Sequence, residues 1–171
     1  VRDQEAVSAR DSAAESMSEP APTLRAVVRR RNGAVHFVAE TGNGGVVPID
    51  GAAAIGGQGL GARPMELLLS ALGGCAGIDV VGILAKQRQE LDDLTVTVEG
   101  ERGAGEPSVF TRIHVHFAAS GQVDEAALRR AVELSMEKYC SVARVVERTA
   151  AITYSQAIVP AAAIAPESST P

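Results

Sequence analysis

One stretch of the chain constrains the fold more than any other, because it is long, almost wholly apolar and rich in glycine. Between positions 67 and 85 the strongly polar side chains are Ser70 and Asp79, and four glycines interrupt the segment. A membrane-spanning helix needs about 20 apolar residues, but the aspartate and the glycines argue against insertion into a membrane. We therefore expect a helix that begins at Pro64, extends to about Arg88 and is buried on all sides within protein.

A single domain of this size seldom encloses a whole helix, so a face of this helix is expected at the interface of a homodimer. Each glycine in a helix costs about 1 kcal/mol relative to alanine. Gly73, Gly74 and Gly77 surround Cys75. These small residues either allow close helix packing or leave space for an apolar substrate beside the thiol.

Hydrophobic periodicity on both sides of this helix predicts a mixed α+β fold. A β-meander precedes the helix, with strands over 24–30, 34–40 and 46–49, a hairpin turn at Asn32-Gly33 and a glycine-rich loop over 51–62. Two strands of an antiparallel pair follow over 94–102 and 109–118. Asp124 is expected to cap a second helix that continues to about Cys140, and a last strand covers 151–158.

The same periods predict which side chains share a face. In the strand over 109–118, one face is expected to carry Val109, Thr111, Ile113, Val115 and Phe117. The inner face of the second helix is expected to carry Leu128, Ala131, Val132, Ser135 and Tyr139.

The two ends of the chain differ in composition from the rest. Residues 1–22 lack an apolar period and residues 159–171 are rich in Pro, Ala and Ser, so we expect disordered tails around one folded domain over 23–158. The opening residues show no secretory signal pattern, which predicts a cytoplasmic location. A net charge of −5 argues against a nucleic-acid partner, which would require a basic face.

Cys75 and Cys140 are the two cysteines of the chain, and they lie 65 residues apart. In a reducing compartment, a disulfide between them would be transient and catalytic rather than structural. A lone buried cysteine is usually an inert small hydrophobic residue. The second cysteine favours a redox pair, provided that the two helices bring the Cα atoms within about 7 Å of each other.

Other polar residues offer alternative sites. His114 and His116 face the same way on a strand, but no close pair of cysteine ligands accompanies them, so a solvated strand face is favoured over a metal site. No cofactor-binding motif occurs in the sequence. Asp79 lies one turn after Cys75, where a nearby carboxylate would raise the pKa of the thiol. We expect Asp79 to turn toward a hydrogen-bond donor or water.

Two sequence strings resemble motifs of the OsmC/Ohr superfamily. RPMELLLSALGGCAGIDVV is similar to the helix that carries the peroxide-attacking cysteine of that family, and its PMELLL part resembles a less studied branch. MEKYCSVARVV is similar to the motif of the resolving cysteine. The resemblance covers residues 24–158. It implies an intertwined homodimer in which antiparallel sheets wrap around central helices.

The resemblance also implies a function, the thiol-dependent reduction of organic hydroperoxides without a cofactor. In this mechanism Cys75 becomes a sulfenic acid and then forms a disulfide with Cys140. An external dithiol reductant restores the thiols.

Two further catalytic residues follow from the resemblance alone. Arg31, in the turn Arg31-Asn32-Gly33, matches the family arginine that activates the thiol, although it is equally interpretable as an exposed turn arginine. The family glutamate lies ten residues before the cysteine, where this chain has Met65. Glu66 is the nearest acid, about 13 Å from Cys75 along a helix, so its contact with a sulfur would have to come from a second copy.

The alternative for Glu66 is that it complements the positive N-terminus of the helix. The shifted glutamate leaves an alternative function open. That alternative is a non-enzymatic module of the same fold that senses redox state or binds an apolar ligand.

Overall fold

A computed structural model describes residues 23–161 of the protein. The predicted tail over 1–22 and positions 162–171 of the predicted tail over 159–171 lie outside the described residues. In chain order the elements are β1 (Ala26–Arg30), β2 (Phe37–Thr41), β3 (Val46–Ile49), α1 (Pro64–Lys86), β4 (Glu90–Arg102), β5 (Phe110–Gln122), α2 (Glu125–Leu134), a π-helix (Ser135–Tyr139), α3 (Ser141–Val146) and β6 (Ala151–Ile158). The predicted α+β class is confirmed.

The first sheet is the meander β1-β2-β3, and both of its strand pairs are antiparallel. The turn between β1 and β2 is organised by Asn32, whose side-chain oxygen accepts hydrogen bonds from the backbone N–H groups of Ala34 at 3.0 Å and His36 at 3.3 Å. Gly33 adopts a left-handed φ of 71° there. Because these bonds hold the backbone in a turn, β2 begins at Phe37 and not at residue 34 as predicted.

The second sheet has the strand order β4-β5-β6. The strands β4 and β5 form the expected antiparallel hairpin, whereas β5 and β6 run parallel. The expectation of antiparallel sheets therefore fails at this one pair. A parallel pair requires a long crossover connection, which the chain makes through α2, the π-helix and α3.

A β-bulge changes which residues of β5 point into the core. The register between β4 and β5 shifts at Glu101 and Arg102, so Arg102 pairs with Phe110. Phe110 is consequently buried, whereas Val109 is 39% exposed. The predicted inward face is correct from Ile113 to Phe117 and wrong at its start, because the sequence alone does not reveal the bulge.

The helices cover one face of the second sheet, and the glycines of α1 allow a close approach to β4. A Cβ atom added to Gly73 would lie 3.0 Å from the Val98 side chain, and one added to Gly77 would lie 3.3 Å from Val96. The core that results combines α1, β5, α2 and α3. Its largest fully buried side chains include Leu72, Val80, Leu84, Val115, Phe117, Leu128 and Val132.

The other face of α1 is open in one protomer. Ile78 is 75% exposed and Val81 is 45% exposed, so the predicted burial on all sides is not achieved within a single chain. By length and composition alone α1 could cross a membrane, although helices of soluble proteins pass the same test.

Candidate active site

The helix that carries the first cysteine begins with the glutamate half of a capping box. Pro64 occupies its first turn, and the Glu66 carboxylate accepts a hydrogen bond at 2.9 Å from the backbone N–H of Arg63. This bond satisfies one of the free N–H groups at the helix start. Within one protomer Glu66 therefore has the helix-terminal role that the sequence left open as its alternative.

Cys75 lies in the middle of α1 and is partly buried. Its side chain packs against the hydrophobic core, whereas Gly74 beside it is exposed, and within residues 23–161 a Cβ added to Gly74 would meet no atom within 4 Å apart from its own stretch of helix. The neighbouring glycines thus have different roles. Gly73 and Gly77 bring α1 close to β4, and Gly74 leaves open space next to the thiol-bearing residue.

The second cysteine is positioned by a change of helix type. After α2 the chain forms a π-helix, in which the backbone N–H of Cys140 bonds to the Ser135 carbonyl at 2.9 Å. Cys140 then leaves the helix with a ψ of 101° and becomes the N-cap of α3. Its sulfur accepts a hydrogen bond from the backbone N–H of Ala143 at 3.4 Å.

This π-helix corrects the predicted second helix. A π turn contains one more residue than an α turn, so side chains beyond Ser135 leave the face predicted by the α-helical period. Ser135 is fully buried as predicted, but Tyr139 is 50% exposed. The insertion carries Cys140, which is fully buried, to the inside.

The two cysteines meet in the fold. The Sγ atoms of Cys75 and Cys140 and a carboxylate oxygen of Asp79 all lie within 4.8 Å of one another. Both cysteines are free thiols. Burial, followed by the nearby Cys75, raises the pKa of the Cys140 thiol to about 11. The pair is therefore reduced, adjacent and unequal in its contact with solvent.

Asp79 is held in place by Ser135, the first residue of the π-helix that follows α2. The Ser135 hydroxyl lies 3.1 Å from the Asp79 carboxylate and 3.3 Å from the Ala76 carbonyl. A hydroxyl has one proton to donate, and the carboxylate is the nearer acceptor. The expected donor for Asp79 is thus a buried serine of the same chain. The sequence hinted at this contact only through the placement of Ser135 on the inner helix face.

Arg31 lies away from the helices, at the end of β1. Its guanidinium is 3.6 Å from the Glu40 carboxylate, and its side chain is 49% exposed. Arg29 approaches the same carboxylate more closely, at 2.7 Å. Within one protomer Arg31 therefore forms its described ion pair with Glu40 of the meander. A contact of Arg31 with the Cys75 sulfur stays a prediction.

His114 and His116 point to the outer face of the second sheet. Both nitrogens of His114 contact hydroxyls, with Nδ1 2.8 Å from Thr153 Oγ1 and Nε2 2.9 Å from Ser155 Oγ. His116 Nδ1 lies 2.8 Å from the same Ser155 oxygen. The two imidazoles thus belong to a hydrogen-bonded polar face, part-buried rather than fully solvated.

A cavity adjoins the cysteine pair on the side of Asp79. It measures about 590 Å³ and lies between α1 and the end of the α2 region. Its lining is mainly apolar and is formed by Ile78, Asp79, Gly82, Ile83, Lys86, Gln87, Leu134 and Tyr139. Neither cysteine lines this cavity, and its link to the pair is Asp79, whose carboxylate lies within 4.8 Å of both sulfurs.

Comparison with known proteins identifies related sequences and structures. The protein YhfA of Escherichia coli is 48% identical over 99 residues, which are 57% of this chain and 74% of YhfA. A hypothetical protein from Aquifex aeolicus has 33% identity and a TM-score of 0.71, and the match covers 81% of this chain and 98% of that chain.

A more distant structure shares the fold. The organic hydroperoxide resistance protein OsmC of Legionella pneumophila is 18% identical, with a TM-score of 0.62, and the match covers 81% of this chain and 99% of that chain. The sequence model of the OsmC-like protein family matches residues 57–155, which include both cysteines and Asp79. Since the match covers more than half of the chain, this protein belongs to the OsmC-like family.

Proposed function

We propose that this protein is a thiol-dependent peroxidase that reduces organic hydroperoxides. The observation that carries the proposal is the pair of reduced sulfurs within 4.8 Å, contributed by α1 and by the π-helix junction. Two thiols this close can form a disulfide after a small movement. In a cytoplasmic location, where we place the protein, such a disulfide is reversible.

The proposed chemistry has two steps. The Cys75 thiolate attacks one peroxide oxygen, the O–O bond breaks, and the leaving alkoxide takes up a proton to become an alcohol. Cys75 is then a sulfenic acid, and attack by the Cys140 sulfur expels water and forms the disulfide. An external dithiol returns two electrons and two protons by thiol–disulfide exchange.

The difference in burial supports the proposed roles of the two cysteines. Cys140 is fully buried and Cys75 is only partly buried, so a peroxide reaches Cys75 first. The proposed substrate class rests on the cavity beside Asp79, whose lining includes the apolar Ile83 and Leu134 as well as the polar Lys86 and Gln87. An alkyl or aryl group gains free energy there by leaving water, which hydrogen peroxide cannot do.

A homodimer is part of the proposal. The exposed Ile78 and Val81 border a groove of about 980 Å³ between α1 and β4, an apolar surface of the kind that a second copy covers. In one protomer Glu66 caps its own helix and Arg31 pairs with Glu40. We therefore expect any activation of Cys75 by these two charges to come from a second copy of the chain.

A hydroperoxide assay tests the enzyme. Purified protein, cumene hydroperoxide and dithiothreitol are mixed in the presence of a metal chelator, and peroxide consumption is followed. Wild type should turn over many times, whereas Cys75→Ser should fall to the background rate. Cys140→Ser is the matched control and is assayed without dithiothreitol: the first equivalent of peroxide should form the Cys75 sulfenic acid, and further equivalents should overoxidise it because no internal thiol condenses with it. Equal rates for wild type and Cys75→Ser would refute the proposal.

The second candidate is a non-enzymatic module that senses redox state or binds an apolar ligand. It is favoured by a separate cavity of about 600 Å³ between the meander and the second sheet, lined by Phe37, Ile49, Leu69 and Phe110 among others. A protein of this kind would form the disulfide once, without repeated turnover. Mass spectrometry after one equivalent of peroxide, combined with the turnover assay, distinguishes the two functions.

A further inference from the structure

The cluster of Cys75, Asp79 and Cys140 has a property that the peroxidase chemistry does not use. Its three side chains offer two sulfurs and one carboxylate oxygen, all within 4.8 Å of one another. Thiolates are soft ligands that select zinc and related cations, and a carboxylate is also an accepted zinc ligand. We propose that the reduced protein binds a thiophilic divalent cation, with Zn²⁺ as the natural occupant, through Cys75, Cys140 and Asp79.

The geometry needs little adjustment. With Zn–S bonds of about 2.3 Å in a tetrahedron, two sulfur ligands lie about 3.8 Å apart, and a sulfur and an oxygen ligand are slightly closer. The observed separations of at most 4.8 Å therefore have to shorten by up to about 1.2 Å. Binding releases both thiol protons, so that two thiolates and one carboxylate surround the cation.

Two hydrogen bonds already orient the ligands. Ser135 donates to Oδ2 of Asp79 at 3.1 Å, which restrains the carboxylate beside the two sulfurs. The backbone N–H of Ala143 points at the Cys140 sulfur from 3.4 Å. Partners of this kind fix the direction of metal ligands, and their loss typically lowers metal affinity by about 10–100-fold.

The site provides three protein ligands, which leaves a fourth position open. Zinc sites with three protein ligands keep water or another small molecule in that position, unlike closed structural sites. The cavity that Asp79 lines gives this position a route to solvent. A second consequence rests on the proposed function, because a cation held by Cys75 would block its attack on peroxide, and disulfide formation would release the cation.

Metal titration tests the proposal without any activity measurement. The reduced full-length protein is titrated with Co²⁺, and then with Zn²⁺ in competition. We expect one equivalent of Co²⁺ to give the intense visible bands of a tetrahedral site and a near-ultraviolet sulfur-to-cobalt charge-transfer band. Zn²⁺ should displace the Co²⁺ stoichiometrically.

Variants locate the site. Cys75→Ser and Cys140→Ser should each halve the charge-transfer intensity, and Asp79→Asn should lower the Zn²⁺ affinity by at least about 10-fold with the thiolate band retained. The matched control is a His114→Asn, His116→Asn double variant, because imidazoles are the other zinc-binding groups that the structure pairs. It should bind like wild type.

Several outcomes would overturn the inference. One is the absence of a charge-transfer band in the reduced wild type. Another is metal binding that the histidine variant loses and the cysteine variants keep. Retained binding after diamide has oxidised the two thiols to a disulfide would overturn it as well. A failure here leaves the hydroperoxide assay unaffected, since that assay contains a chelator.

Discussion

Oxidation should raise the thermal stability of this protein, because the proposed disulfide closes a long loop. Cys75 and Cys140 lie 65 residues apart in the sequence. In the chain-entropy treatment, a crosslink across such a loop removes roughly 14 cal/mol/K from the unfolded ensemble, which corresponds to about 4 kcal/mol at 25 °C. This value is the upper limit of the expected increase in the free energy of unfolding.

The folded state determines how much of the gain remains. The sulfurs lie within 4.8 Å in the reduced protein, and a disulfide bond is about 2.05 Å long, so they must approach by up to about 3 Å. Cys140 lies at a junction between two helices, where its N–H bonds to the Ser135 carbonyl and its sulfur accepts from Ala143, so the strain on these bonds offsets part of the gain. We expect a net gain of about 2–4 kcal/mol, or roughly 10 °C in the melting temperature of a domain of this size.

Differential scanning calorimetry of the reduced and the diamide-oxidised protein measures the shift. Mass spectrometry on the same samples verifies the Cys75–Cys140 bridge, and Cys140→Ser serves as the control in which diamide should cause no intramolecular change. If the bridged protein melts at the same temperature as the reduced one, or lower, the reasoning from loop length is refuted.

Three further predictions concern packing, pH and assembly. Gly73→Ala should lower the free energy of unfolding by about 1–2 kcal/mol, because its Cβ would lie 3.0 Å from Val98. Gly74→Ala places its Cβ in open space and should not destabilise the fold. Chemical denaturation of the two variants measures the difference. Three backbone N–H groups, those of Leu60, Gln58 and Gly51 in order of effect, hold the pKa of the Asp50 carboxyl below its usual value of 3.8. Its contribution to stability is therefore complete above that value and is lost as the pH falls through the lowered pKa, so Asp50→Asn should flatten the acid side of the stability profile. Ile78, 75% exposed in one protomer, should be essential for the homodimer, and sedimentation of Ile78→Glu should give monomers; an unchanged dimer would show that α1 is not the interface.

Much of the architecture follows from short-range pattern. The strands over 46–49 and 151–158 have the predicted bounds, and α1 begins at the predicted Pro64. These elements are set by alternation, by the apolar run and by a proline that suits a first helical turn. The pairing of Cys75 with Cys140 was expected from the resemblance to the OsmC/Ohr superfamily. The family-model match confirms that the chain belongs to the OsmC-like family.

The details that shape the candidate site do not follow from local pattern. The bulge that buries Phe110 and the π-helix that exposes Tyr139 each add one residue to a regular repeat. Such an insertion is stabilised by packing across the whole core and leaves no clear signal in the composition of the segment. The parallel pairing of β5 with β6 likewise depends on where the crossover returns the chain.

The sequence by itself determines the apolar glycine-rich helix and the two cysteines. It thereby also determines the fold class and the possibility of thiol chemistry. The meeting of the sulfurs within 4.8 Å, together with Asp79, is decided only by tertiary structure. It depends on the close approach of α1 to β4 and on the one-residue insertion before Cys140, because a distance between residues 65 positions apart is set by packing and not by local conformational preference.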